Sequence, residues 1–251
     1  MFAAFEKIKQ ATALKVPQFF SLIPQSDFKI VETTNPEDPA GSYNQPTESS
    51  PIGRFLANTK NLKSVPKYDA TTLMLHETVP GHHFQLALQY EMKDKLSEYQ
   101  RKMYMSNSFV EGWALYSEHL GYEMGLYDDI DQRFGNLNDE MLRAVRLVVD
   151  TGIHSKGWDQ KKAIAYMTEN LASDAGDILN EANRYSVWPG QALGYKIGQL
   201  KIMELRSKAE KELGPKFDIK EFHKAVIGQG TVSLKILESQ VNAYIAAAAG
   251  R

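Results

Sequence analysis

Proline placement divides this chain before any other feature is considered. Seven of its ten prolines lie between positions 17 and 66. Proline removes a backbone donor and clashes with the preceding helical turn, so that stretch is not a long helix. Upstream, residues 1–16 read as a helix with Phe2, Phe5, Ile8 and Ala11 (or Thr12) near one face, stopped before Pro17. Within 17–66, NPEDPAG and QPTESSP act as turns. Between them, DFKIVETT (27–34) and GRFLANT (53–59) read as extended segments of a small sheet or hairpin.

From Asp69 onward the pattern is helical nearly to the end. Asp69 serves as the expected N-cap of a helix running through LMLHE and resuming in HHFQLALQYEMKDKL. Further helices are predicted near 97–124, 129–151, 159–171, 174–185, 190–213, 218–227 and 231–248. Leu142, Val145, Leu147, Val148 and Val149 make an apolar stripe on the third, DTGIHSKGWDQ follows it as a loop, and Pro189 suits a first helical turn. The expected fold class is mainly α (α+β), with a small sheet near the N-terminus beside the first long helix. The expected organisation is one domain over 1–251, with a β/loop region at 17–66 and a helical region at 67–251.

Composition narrows the function classes. With 43% hydrophobic and 24% charged residues the chain is ordinary globular material, not wholly disordered. Lys and Arg total 29 against 31 Asp and Glu, a net charge of −2, which argues against nucleic-acid binding by bulk charge. No apolar run approaches the ~18 residues that span a bilayer, and Glu6, Lys7 and Lys9 interrupt the place where an export signal needs apolar residues. The chain has no cysteine, which excludes disulfides, thiolate metal sites and Cys nucleophiles. A cysteine-free chain suits cytoplasm and periplasm alike, so location stays open.

Chemistry concentrates in His76-Glu77-Thr78-Val79-Pro80-Gly81-His82-His83, which holds three of the six histidines. The zinc-peptidase signature H-E-x-x-H puts two imidazoles one helical turn apart with the glutamate as general base. Here Pro80 occupies the i+4 position and the next imidazoles stand at i+6 and i+7. In an unbroken helix His82 would lie about 9 Å along and 240° around from His76, and His83 about 10.5 Å along. Zinc holds nitrogens at ~2.0–2.1 Å, so neither arrangement chelates. A two-residue excursion at Pro80-Gly81 would bring His82 into the missing place, whereas His83 would need three residues. The competing reading is a capped helix end with surface histidines.

A second group is Phe109-Val110-Glu111-Gly112-Trp113-Ala114-Leu115-Tyr116-Ser117-Glu118. Glu111 lies 35 residues after His76, enough for the chain to turn and return antiparallel and supply a third ligand. Glu118, two turns on along the same face, is placed to orient a ligating imidazole. Alternatively, Trp113, Leu115 and Tyr116 are core and both glutamates are solvated.

HETVPGHHFQ, FVEGWALYSE, DTGIHSKGW and RYSVWPGQALGYKIG together resemble the bacterial proteins grouped as domain of unknown function 885. The likeness runs from about residue 17 to the end. Many members bear the description lipoprotein, and the group is similar to helical zinc peptidases such as thimet oligopeptidase and carboxypeptidase Taq. The resemblance implies a helical zincin-like metallopeptidase fold, with this chain similar to the C-terminal half of members about twice as long. It implies a cell-envelope or periplasmic setting for some members. Some relatives read PGHL where this chain has Pro80-Gly81-His82-His83, which agrees with His82 as the ligand.

The leading expectation is a zinc-dependent hydrolase of peptide or amide bonds, with one Zn2+ per chain on His76, His82 and Glu111. Zinc brings the pKa of water to roughly 7, and Glu77 is the expected proton acceptor. His154 and Tyr185 are candidate oxyanion donors. Arg184 is a candidate clamp for a substrate carboxylate, and Tyr195 a further substrate contact. Against this, His154 at a helix end and two of 12 tyrosines in packing roles are equally ordinary. Arg143 and Arg146 divide the same way between anion clamp and solvated helix face. The segment 53–59 is a candidate edge strand for peptide addition. The alternative function is a non-catalytic helical module or pseudoenzyme acting in protein interaction, with self-association or a longer protein's N-terminal half as partner.

Overall fold

The computed structural model describes residues 1–35, 39–60, 66–102 and 104–250. Part of the NPEDPAG turn, and Met103 within the helix expected over 97–124, lie outside the described residues. In chain order the elements are α1 (Phe2–Phe19), β1 (Phe28–Thr33), β2 (Gly41–Asn44) and β3 (Gly53–Asn58). A short 3-10 turn, Lys67–Asp69, leads into α2 (Ala70–Glu77), α3 (His82–Glu91), α4 (Glu98–Lys102) and α5 (Asn107–Glu123). Then follow α6 (Ile130–Lys156), α7 (Gln160–Asn170), α8 (Ala175–Val187), α9 (Leu193–Leu213), α10 (Ile219–Ile227) and α11 (Leu234–Ala249). The fold is mainly α with a small mixed sheet near the N-terminus.

Most of the later helix starts are written locally. Asp129, Asp159, Asp174 and Asp218 each accept a backbone N–H in the first turn of α6, α7, α8 and α10, and Ser233 does so for α11. Each such cap contributes about 1 kcal/mol. Asp69 does not cap α2; its dihedrals are already helical and its side chain makes no cap bond.

Several expected boundaries move for tertiary reasons. Pro17 sits inside α1 rather than ending it. The lost hydrogen bond is offset by burial of Val16 and Phe20 against Phe84 and Trp113. The stretch DTGIHSKGWDQ is mostly helix, since α6 continues to Lys156 and ends at Gly157 in the left-handed region, φ 66°. Pro189 lies in the turn between α8 and α9, not in the first turn of α9. The helix expected over 97–124 is two helices, α4 and α5.

The sheet order is β1-β3-β2, with β1 parallel to β3 and β2 antiparallel to it. The two predicted strands are therefore parallel neighbours and not a hairpin. GRFLANT is the central strand, hydrogen-bonded on both sides, which removes it as an edge for peptide addition. Phe28, Phe55 and Ala57 press one sheet face against Phe5 of α1 and Met74 of α2. The larger core joins α3, α5, α9, α10 and α11 around Phe84, Phe109, Trp113, Tyr116, Ile202 and Phe222. At its centre α5 and α9 cross at Gly112 and Gly198, where a Cβ on Gly198 would fall 1.8 Å from the Ser108 carbonyl oxygen.

Candidate metal centre

The chain between His76 and His82 leaves the helix and returns. α2 ends at Glu77 and α3 begins at His82, with a cis Val79–Pro80 bond between them. The Phe84 N–H donates to the Thr78 carbonyl at 3.1 Å. That is an i to i−6 bond where a helix makes i to i−4, so two residues are looped out. Gly81 is required because the loop folds back on the helix end: a Cβ there would meet the His76 carbonyl oxygen at 1.9 Å. From α5, the buried Trp113 indole N–H donates to the Pro80 carbonyl at 2.8 Å and fixes the loop.

The excursion separates the two adjacent histidines. The His82 ring lies 4.7 Å from that of His76, nearly perpendicular at 85°. His83 turns to the sheet, where its Nδ1 shares a 2.9 Å hydrogen bond with the Tyr43 hydroxyl and its ring packs on Phe28.

Helix α5 brings both glutamates to this pair. Glu111 Oε2 stands 3.5 Å from His76 Nε2 and 3.3 Å from His82 Nε2, is buried, and makes no hydrogen bond of good geometry. Glu118 is fully buried and binds the other side of His76, with Oε1 2.6 Å from Nδ1. The same carboxylate accepts from Thr72 Oγ1 at 2.8 Å, Arg143 Nη2 at 3.3 Å and Asn136 Nδ2 at 3.4 Å. Because Nδ1 is committed to Glu118, Nε2 of His76 is the atom left to face Glu111 and His82.

The electrostatics follow from burial set against these contacts. Desolvation pulls the His76 pKa down, but Glu111 and Glu118 outweigh it and lift the imidazole to about 10. Desolvation raises the Glu111 carboxyl, yet the two histidines hold it well below the usual carboxylate range. Glu118 is likewise raised by burial and brought below its ordinary value by Arg143 and His76. Two ionised carboxylates thus flank one imidazole, and the site calls for a cation, either a proton or a metal.

Two separations within the His76, His82 and Glu111 group have the length of a coordination edge, and His76, Glu77 and His82 form a further group of close donor atoms. Tetrahedral coordination at ~2.0–2.1 Å separates neighbouring donors by about 3.3–3.4 Å. The two Glu111 Oε2 to imidazole distances, 3.5 and 3.3 Å, match that edge and are too long for good hydrogen bonds. Glu77 offers a carboxylate oxygen within 4.8 Å of a ligand atom on each histidine and is 9% exposed.

The remaining candidates spread over a second cluster. Tyr195 on α9 lays its ring nearly parallel to that of His76, at 20° and 6.2 Å. Its hydroxyl accepts from Arg184 Nη2 at 3.1 Å and Gln191 Nε2 at 3.3 Å. Tyr185 is buried, and its hydroxyl donates to Glu181 while accepting from Arg146 Nε. His154 is an exposed residue in the last turns of α6, with Nε2 bonded to the Tyr185 carbonyl at 2.8 Å. No contact among the described residues links His154 or the Tyr185 hydroxyl to the His76–His82–Glu111 group. Arg143 and Arg146 are not on a solvated face: Arg143 pairs with Glu118 and Asp139, and Arg146 with Glu181.

Sequence reasoning missed Thr72, Asn136, Glu181 and Tyr43. Thr72 was accessible, being one helical turn before His76 on the same face, and Glu181 lies one turn before Tyr185. Asn136 and Tyr43 carried no signal, because only packing brings α6 and β2 to the site.

Comparison with known proteins places the chain. Residues 1–241 match the family described as bacterial protein of unknown function (DUF885). The chain belongs to this family. This DUF885 protein is 38% identical to a "putative lipoprotein" from Colwellia psychrerythraea, with a TM-score of 0.91 over 97% of this chain and 42% of that one. A "putative lipoprotein of unknown function" from Shewanella oneidensis shares the fold at 20% identity and a TM-score of 0.74, over 94% of this chain and 45% of that one. The chain thus spans less than half the length of either neighbour. No curated protein matches it. No helix among the described residues is long and apolar enough to cross a membrane.

Proposed function

We propose that this DUF885 chain carries the catalytic centre of a metal-dependent hydrolase acting on peptide or amide bonds. One observation carries the reading: a buried Glu111 oxygen without a hydrogen bond stands at a tetrahedral edge length from two imidazole nitrogens on a different pair of helices. His76 Nε2, His82 Nε2 and Glu111 Oε2 would hold the ion, and an N/N/O set favours zinc. When bound, zinc supplies Lewis acidity toward a carbonyl and toward water.

The other roles belong to the chain. Glu118 fixes the His76 tautomer by accepting from Nδ1, with Thr72, Asn136 and Arg143 holding the carboxylate in turn. Glu77 takes the water proton at its carboxylate and returns it to the leaving amine, the general-base and general-acid roles in sequence. Trp113 and Gly81 keep the loop in the one form that presents His82. The lipoprotein description of both structural neighbours supports a cell-envelope setting.

The test separates the ion from the chemistry. Elemental analysis of the purified protein should find about one zinc per chain. Glu77→Gln should keep that zinc and lower hydrolysis of a mixed peptide library, read by mass spectrometry, by about 10²-fold or more. Absence of tight zinc after reconstitution refutes the hydrolase reading, and unchanged turnover by the variant refutes Glu77 as the base.

A further inference from the structure

The cluster behind Tyr195 holds more donors than its own acceptors use. Arg146 is 5% exposed, and its Nε and Nη2 are spent on Glu181 and Tyr185. Its Nη1 is buried and makes no hydrogen bond. The Tyr195 hydroxyl accepts from both Arg184 and Gln191, which leaves its own proton unspent. Buried donors of this kind are costly unless something accepts from them.

Charge points the same way. Two guanidinium groups, Arg146 and Arg184, share one carboxylate in direct ion-pair contact, Glu181, and Asp139 acts on Arg146 from further away. Arg184 is the member within reach of solvent, its side chain 33% exposed. The Arg146 guanidinium lies 4.5 Å from the Tyr195 ring centre, and that ring stacks beside His76. One aromatic ring therefore joins the surplus-donor cluster to the metal centre.

We propose that Arg146, Arg184 and Tyr195 form a carboxylate-binding subsite next to the metal centre. A carboxylate there would accept from Arg146 Nη1 and the Tyr195 hydroxyl, with Arg184 completing the charge balance. The matching substrates carry a free carboxylate close to the scissile amide: the C-terminal residue of a peptide, or an N-acyl amino acid. The substrate class rests on the hydrolase reading above; the anion subsite does not.

The experiment is calorimetric titration with N-benzoylglycine and its uncharged amide, N-benzoylglycinamide, on chelator-treated and on zinc-loaded protein. The acid should bind at least tenfold tighter than the amide in both states. Arg184→Gln, a partly exposed position, should erase that preference while leaving the amide unaffected and the melting curve near wild type. Arg146→Lys should weaken the acid as well, since an ammonium does not reproduce the guanidinium fork; if it fails to fold, Arg184→Gln decides alone. Equal binding of acid and amide, no binding of the acid, or an acid preference that survives Arg184→Gln overturns the subsite. So does acid binding that appears only with zinc and ignores Arg184→Gln, which would put the carboxylate on the metal. Zinc content of the reconstituted sample keeps the two readings apart: an acid preference in protein that takes up no zinc on reconstitution sinks the hydrolase and sustains the subsite, and zinc uptake without a preference does the reverse.

Discussion

Replacing Glu118 with glutamine tests whether the buried network behind His76 serves the metal or only the fold. Glu118 is fully buried and receives hydrogen bonds from His76 Nδ1, Thr72, Arg143 and Asn136. Glutamine keeps the shape and one acceptor oxygen but turns the other into an N–H2 group that must face a donor. Leaving one buried polar pair unsatisfied costs about 1–3 kcal/mol. Arg143 retains Asp139 at 3.0 Å, so the loss should stay below the ~3–5 kcal/mol typical of stranding a buried charge. His76 loses the anion that sets its tautomer, and zinc affinity should fall about 10–100-fold, or roughly 1.4–2.8 kcal/mol. Competition with a chromophoric chelator reads the affinity, and urea unfolding of metal-free protein reads the stability. Lowered stability with unchanged zinc affinity would refute the orienting role and leave Glu118 a structural residue.

Three further outcomes are expected. His82→Ala should abolish tight zinc binding, whereas His83→Ala should keep the zinc and lower stability through the lost Tyr43 contact; elemental analysis with thermal melts separates them, and the reverse pattern would sink the loop geometry. Gly198→Ala should destabilise by at least ~1–3 kcal/mol, because overpacking the α5–α9 crossing forces the backbones apart; a melting temperature within a degree of wild type would contradict that contact. Burial, with Arg206 nearby, holds the His223 pKa down at about 3 although the Phe19 carbonyl accepts from it. The folded imidazole therefore stays neutral while the unfolded one protonates below about 6.5, so its contribution is complete above that pH. It is lost as pH falls toward 3, at up to about 1.4 kcal/mol per pH unit. His223→Gln should flatten urea-derived stability against pH between 6.5 and 5, and an unchanged slope would refute the assignment.

What the sequence determined by itself is what short-range physics controls. Helical spacing located the helices from α6 to α11 to within a few residues, the C-terminal end of α6 excepted, and the aspartate and serine caps of five of them are bonds made inside one turn. The clustered prolines marked the sheet region, and the i+6 spacing with Pro80-Gly81 made a two-residue excursion the favoured of the alternatives by backbone arithmetic. Tertiary structure decided everything that depends on partners distant in the chain. Pro17 stays helical because Val16 and Phe20 are buried, and α6 runs past its expected end where Gly152 packs closely on Trp158 and Ile153 joins the same core. The sheet is parallel between the two legible strands because a third, short strand takes the antiparallel place. His82 and His83 are chemically identical neighbours, and only the opposing surfaces, Glu111 on one side and Tyr43 with Phe28 on the other, assign them different surroundings. The same holds for Tyr185 and Tyr195, which local sequence cannot tell apart. One is spent on Glu181 and Arg146, while the other stacks beside His76, because the turn between α8 and α9 aims the two helices at different neighbours.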